Sequence, residues 1–181
     1  MIKQPYIHPV HQCDDGIITS YSKTKIDLKN PKPDMFSLVD IARGLANTCR
    51  FAGQCEFYSV AQHSVLVMQL APFHLHKVAL LHDASEAYIH DIAKPTKNML
   101  SGYAPIEDAF ERAIFKKFKV DFELLKEIKP YDMQALQIEY GYIHGQSSSF
   151  GYFFRGLSKD VYWSPKEAYG IFKETLMYCF G

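Results

Sequence analysis

His82 and Asp83 stand side by side in the run Leu81-His82-Asp83-Ala84-Ser85-Glu86, and Asp91 follows a few residues later. An imidazole and a carboxylate together suit a borderline or hard divalent cation. Acid placed just behind such an ion can orient water or take its proton. The chemistry this suggests is hydrolysis. Taken alone, the dipeptide reads equally well as a capping Asp beside a surface His, so its context must decide. Upstream lies His63 and downstream Asp132, so that three helical segments can each offer a ligand to one point, with His82 and Asp83 supplied together. Each residue has a plainer alternative on its own. His63 can be a hydrogen-bonded core histidine, Asp132 a helix cap after Pro130, Glu86 a solvent-facing helix residue and Asp91 a turn residue at a helix end. Two imidazoles and two carboxylates in this order predict one metal site.

The elements that must position these groups are helical. Ser37 followed by Asp40 marks a helix start, and Leu38, Ile41, Ala42, Leu45 and Ala46 recur at helical spacing toward Arg50. Ala52 to Phe57 lacks periodicity and reads as a loop. Tyr58 to Leu70 suits a buried helix that carries His63, and Pro72 breaks it. A further helix through Leu75, Val78, Ala79 and Leu81 presents His82 and Asp83 and ends near His90. Ile106 to Phe118 is amphipathic, its charges a solvated face. Leu124 to Ile128 and Asp132 to Tyr140 form helices on either side of Pro130, so that Asp132 begins a helical turn. His144 to Lys159 reads as a long loop whose Phe150, Tyr152, Phe153 and Phe154 cover a cavity or a partner surface, or else join the core. Ser164-Pro165-Lys166-Glu167 caps a last helix. Strand signals are confined to the lead-in, at Gly16 to Tyr21 and Ile26 to Leu28. The fold expected is all-α, a helical bundle with a short N-terminal β-hairpin or extended lead-in.

With 181 residues and 48% hydrophobic content, the chain can bury one good core and leaves little room for a second domain. A single domain over 1–181 is expected. Lys and Arg number 20, as do Asp and Glu, so the basic footprint needed for nucleic acid polymers is missing. A small anionic ligand remains compatible, because a local cation cluster can hold phosphate. Cys13, Cys49, Cys55 and Cys179 form no CxxC pair and no leader pattern opens the chain, which points to reduced thiols and a soluble cytoplasmic protein. No apolar run reaches the roughly 20 residues needed to cross a bilayer.

The segments YSVAQHS, LLHDASEAYIHD and IKPYDMQAL, in that order over about residues 38–140, resemble the HD-domain metal-dependent phosphohydrolases. Among these the bacterial 5'-deoxynucleotidases and the small phage-encoded dATP triphosphohydrolases look most similar. The resemblance implies an HD helical bundle in which His63, His82, Asp83 and Asp132 bind the catalytic divalent metal: cobalt, zinc or manganese, with magnesium possible on the substrate. It makes Glu86 and Asp91 the catalytic acids, assigns phosphate to Arg50 and Lys97, and makes Phe51 the sugar contact. Phe51 stands where the deoxynucleotidases carry Trp, and Gln54 where the phage proteins carry His. The function implied is hydrolysis of a deoxynucleoside triphosphate, dATP preferred, to deoxynucleoside and triphosphate. The alternatives are 5'-deoxynucleotidase action on a monophosphate, or a nucleotide-binding module without turnover. The partner implied is a small deoxynucleotide, with no membrane and no nucleic acid polymer. Homo-oligomeric assembly is expected, in the host cytoplasm if the chain is phage-encoded.

Overall fold

A computed structural model describes residues 16–146, 149–158 and 160–181; His8, His11 and Cys13 lie outside them. Over these residues the chain is mostly helical with a small two-stranded antiparallel sheet. Strand β1 (Ile17–Thr19) pairs with β2 (Lys25–Asp27), Ile18 facing Ile26. The buried Ile26 packs the hairpin onto the core. Its turn is tied down by Asp40, whose carboxylate accepts from Ser20 Oγ at 3.1 Å, Ser22 N at 2.8 Å and Ser22 Oγ at 2.7 Å. Burial would raise the Asp40 pKa, but the bonds from Ser22, Ser37 and Ser20 hold it below the usual range.

Asp40 lies in the first turn of α1 (Leu38–Asn47), whose N-cap is Ser37 as the pattern predicts. The helix stops short of Arg50, because Thr48 turns extended and Cys49 forms a bridge with Ser59. Helix α2 (Val60–Leu70) is capped by Ser59 and buried at every position from Val60 to Val67, as an element enclosed on all sides must be. Helices α1, α3 (His76–Leu81), α7 (Leu125–Ile143) and α8 (Pro165–Phe180) all pack on it. His63 therefore sits at the centre of the bundle.

The single helix expected through His82 to His90 is broken. Helix α3 (His76–Leu81) ends as His82 Nδ1 donates to the Ala79 carbonyl at 2.7 Å. That carbonyl is the acceptor a continuing α-helix would offer to the Asp83 N–H. Residues 82–85 form turns with three-residue closures such as Glu86 N to Asp83 O, and the chain resumes in the short α4 (Glu86–Ile89) and α5 (Lys94–Lys97). Gly44 of α1 lets α4 approach closely. A Cβ there would stand 2.6 Å from the Ala87 Cβ and carbonyl oxygen.

Helix α6 (Tyr103–Phe118) begins three residues before the apolar pattern suggests, at the left-handed Gly102. Helix α7 (Leu125–Ile143) runs unbroken through Pro130, which corrects the expected interruption. Pro130 is exposed, so water can serve the carbonyl it leaves without a donor, while the buried Ile128 and Ala135 hold both halves to the core. Asp132 is thus a mid-helix residue and not a cap. The segment expected as an aromatic loop is a 3₁₀ turn (Ser149–Phe154). Its Phe150 and Phe154 are core, each 1% exposed, and meet Tyr58 and Trp163 edge-on at 5.6 and 5.0 Å. Gln62 anchors the following stretch, donating to Val161 O at 2.6 Å and accepting from Trp163 N at 3.1 Å. Helix α8 (Pro165–Phe180) starts with the predicted Ser164–Glu167 capping box. Among the described residues no helix is long and apolar enough to cross a membrane.

Candidate metal centre

Three segments converge on one point: α2 through His63, the α3–α4 turn through His82 and Asp83, and α7 through Asp132. Ligand atoms of His63, His82 and Asp132 all lie within 4.8 Å of one another. Asp83 Oδ2 stands 3.1 Å from His82 Nε2 and 3.6 Å from His63 Nε2. Asp132 Oδ1 is 3.3 Å from His63 Nε2. The two Nε2 atoms face each other at 3.3 Å.

The hydrogen bonds on the far side of each ring decide what these atoms are. His82 Nδ1 faces only the Ala79 carbonyl, an acceptor, so it carries the proton and Nε2 carries a lone pair. His63 Nδ1 faces Glu139 Oε1 at 2.5 Å, which places its proton on Nδ1 too. Two imidazole lone pairs and an Asp132 carboxylate oxygen therefore share one spot, and Asp83 Oδ2 stands beside the two imidazoles. These donors fit a divalent cation of the zinc, cobalt or manganese kind.

The electrostatics match. Burial would raise the Asp83 carboxyl, but His82, His63 and Arg50 hold it well below the usual range. Asp132 is likewise held low against burial, by His63, His82 and Lys129. Burial and Arg50 pull the His63 pKa down, yet Glu139 and Asp132 carry it up to about 9. Glu86 behaves oppositely to Asp83. Burial, then Asp83 and Asp91, push its carboxyl well above the usual range.

The cluster opens onto a cavity of about 530 Å³. Every residue the sequence proposed as catalytic or substrate-binding lines it: Glu86, Asp91, Arg50, Phe51 and Lys97. The side chain of Glu86 is 7% exposed and its Oε2 has no hydrogen-bond partner among the described residues. Arg50 is more committed than a simple phosphate contact, with Nη2 on Glu139 Oε2 at 3.2 Å and Nη1 3.7 Å from Asp83 Oδ2. Lys97 is held by Glu107 at 2.6 Å and lies 3.5 Å from Glu86. Phe51 and Ala52 adopt positive φ of 56° and 51°, strained for residues with side chains. The loop is closed at its base by Arg50 N to Tyr58 O and Val60 N to Thr48 O, which turns Phe51 toward the cavity.

Glu139, Tyr58 and Lys129 were not singled out in the sequence. Glu139 is fully buried, and Tyr58 Oη donates to it at 2.9 Å. Lys129 Nζ donates to Asp132 Oδ2 at 2.6 Å. A signal for Glu139 existed: it lies seven residues after Asp132, two helical turns along the same face.

No protein-family model matches the chain. It is 37% identical over 141 residues, 75% of this chain and 79% of the relative, to the uncharacterized protein YfdR of Escherichia coli. The chain belongs to the YfdR family. A second relative, an uncharacterized protein of Rhodobacter capsulatus, is 32% identical over 143 residues, covering 71% of this chain and 73% of that protein. Neither name carries an activity, so the chemistry of this YfdR-family chain rests on its site.

Proposed function

We propose that this YfdR-family protein is an HD-type, metal-dependent phosphohydrolase acting on small deoxynucleotides. The observation that carries the reading is the convergence of ligand atoms from His63, His82 and Asp132, with Asp83 Oδ2 against both imidazoles, beside a cavity that Glu86 also lines with its Oε2 buried. A bound divalent cation would polarise the phosphoryl oxygen and lower the pKa of bound water from about 15.7 toward roughly 7. Glu86 is placed to accept the water's proton and return it to the leaving oxygen, with Asp91 as the second acid. Arg50 offsets negative charge on the phosphate as the bond breaks. Phe51, on the cavity wall, supplies an apolar contact for the sugar.

Triphosphate release from dATP and phosphate release from a deoxynucleoside monophosphate share this machinery. The charge inventory favours the monophosphate. The lining cations are Arg50, Lys94, Lys97 and Lys129, facing Asp83, Glu86, Asp91, Glu107 and Asp132. Arg50, Lys97 and Lys129 are already paired with carboxylates. Adding a divalent cation leaves a small positive excess, which suits a phosphate dianion better than a triphosphate carrying nearly twice its charge. A binding module without turnover would have no use for Glu86, whose burial without a full set of partners is a standing cost.

The test is a product-resolved assay of purified protein with each dNTP, dNMP and matching ribonucleotide, in cobalt, manganese, zinc or magnesium and in chelator. Deoxynucleoside plus phosphate from dNMPs is the expected outcome. Deoxynucleoside plus triphosphate from dATP would select the triphosphohydrolase. No metal-dependent product from any substrate would leave the binding module.

A further inference from the structure

Glu139 is fully buried in α7 and takes part in none of the proposed bond-breaking steps. Burying a carboxylate is expensive unless donors surround it. Glu139 has three: His63 Nδ1 at 2.5 Å and Tyr58 Oη at 2.9 Å on Oε1, and Arg50 Nη2 at 3.2 Å on Oε2. Apolar packing would fill the same space at less cost, so this arrangement calls for another reason. The reason is on the His63 ring. A carboxylate on Nδ1 fixes the tautomer, aims Nε2 at the cluster and raises its basicity as a ligand. The placement is economical, because Asp132 and Glu139 lie two turns apart on one face of α7. A single helix thus supplies one metal ligand and the group that holds another.

We infer that Glu139 is a positioning residue that sets the metal affinity of the centre through His63. The inference rests on the metal-dependent reading above. Glu139→Gln is the informative change, since it preserves shape and cannot satisfy all three donors. With its oxygen toward His63 and Tyr58, the amide NH₂ meets Arg50, donor against donor. Turned over, it donates to His63 Nδ1 and drives the ring proton onto Nε2, where the metal must bind.

The experiment titrates Co²⁺ into purified full-length protein by competition with a chromophoric chelator, with circular dichroism as a check on folding. Wild type should bind Co²⁺ stoichiometrically, and Glu139→Gln about 10–100-fold more weakly. Tyr58→Phe removes one donor and leaves the His63–Glu139 bond, so it should stay within about threefold of wild type. Imidazole ¹⁵N spectra of the zinc-loaded wild type should show His63 bound through Nε2 with a protected proton on Nδ1. Glu139→Gln affinity within about threefold of wild type would overturn the inference, as would an equal loss in Tyr58→Phe. His63 binding zinc through Nδ1 would overturn it even if Glu139→Gln does not fold. Failure of wild type to bind Co²⁺ at all would instead defeat the metal-dependent reading beneath it.

Discussion

Glu86→Gln should separate stability from catalysis by moving them in opposite directions. The Glu86 side chain is 7% exposed, its Oε2 has no hydrogen-bond partner among the described residues, and the cation nearest its Oε1, Lys97 at 3.5 Å, is itself bonded to Glu107 at 2.6 Å. Burial, then Asp83 and Asp91, raise its pKa well above the ordinary value. The sign follows from linkage. The folded-state pKa lies above the unfolded one, so Glu86 costs nothing below the unfolded pKa of about 4.3 and costs more as pH climbs past it. Leaving a buried polar group without its partners costs about 1–3 kcal/mol, and a neutral isostere removes most of that. For a chain of this size each kcal/mol moves Tm by about 2–4 °C. Thermal melts in chelator at pH 8 should therefore show Glu86→Gln more stable than wild type by about 3–10 °C, with a smaller difference at pH 5. In the metal-loaded phosphohydrolase assay the same protein should lose turnover by about 100-fold or more, as for a lost proton acceptor. A variant that melts lower than wild type at pH 8, or keeps full turnover, would refute the reasoning.

Asp83→Ala should abolish stoichiometric Co²⁺ binding and turnover together, read by metal titration alongside the product assay. Glu111 is half-buried on α6, and burial, then Glu107 and Asp83, push it up to about 7. Its folded pKa is raised, so stability falls as pH rises from the unfolded value through 7, and Glu111→Gln should gain about 1–2 kcal/mol at pH 8 after discounting for solvent screening and nothing at pH 4. Equal Tm differences at the two pH values would remove Glu111 from the account. Gly44→Ala should cost about 1–3 kcal/mol by overpacking against Ala87, and should lower turnover more than metal binding, because it displaces α4 and Glu86 while His63 and Asp132 stay on other helices. Phe51→Ala should chiefly narrow the preference for deoxy over ribo substrates in parallel kcat/KM measurements; an unchanged ratio would return Phe51 to a packing role.

The candidate ligands were legible because their chemistry is carried by residue type and order. His63, His82 and Asp132 come together from separate segments with Asp83 beside the imidazoles, and the helical periodicity shows which segments carry them though not where those helices end. What was not legible depends on partners distant in sequence. The helix break at His82 arises because its own ring takes the Ala79 carbonyl, a competition that apolar spacing does not register. Pro130 looks like a terminator locally, yet the buried residues on both sides of it keep α7 continuous. Phe150 and Phe154 sit in a Gly- and Ser-rich stretch that reads as loop; core packing is the plainer reading of their rings from sequence, but the partners that make it so, Tyr58 and Trp163, lie far off in the chain. Glu139 carries no motif of its own, and its importance emerges once His63 and Arg50 are seen on either side of its carboxylate.

The outer partners of the ligand residues say how the centre is built. His63 is gripped by Glu139, His82 by the Ala79 carbonyl and Asp132 by Lys129. Each grip uses the ring or carboxylate atom facing away from the cluster, so the atom facing inward is left free and aimed. Asp83 differs, for its Oδ2 faces both imidazoles and also lies near Arg50. It is the more exposed of the acidic pair, at 23% of its side chain against 17% for Asp132. Asp83 and Arg50 therefore form the side of the centre that opens to the cavity, where a phosphate would displace part of their attraction for each other. The closed side is fixed by the fold and the open side is left to the ligand. On the proposed reading, rigid donors behind an adaptable ion pair would let the site hold a cation between turnovers and exchange an anion during them.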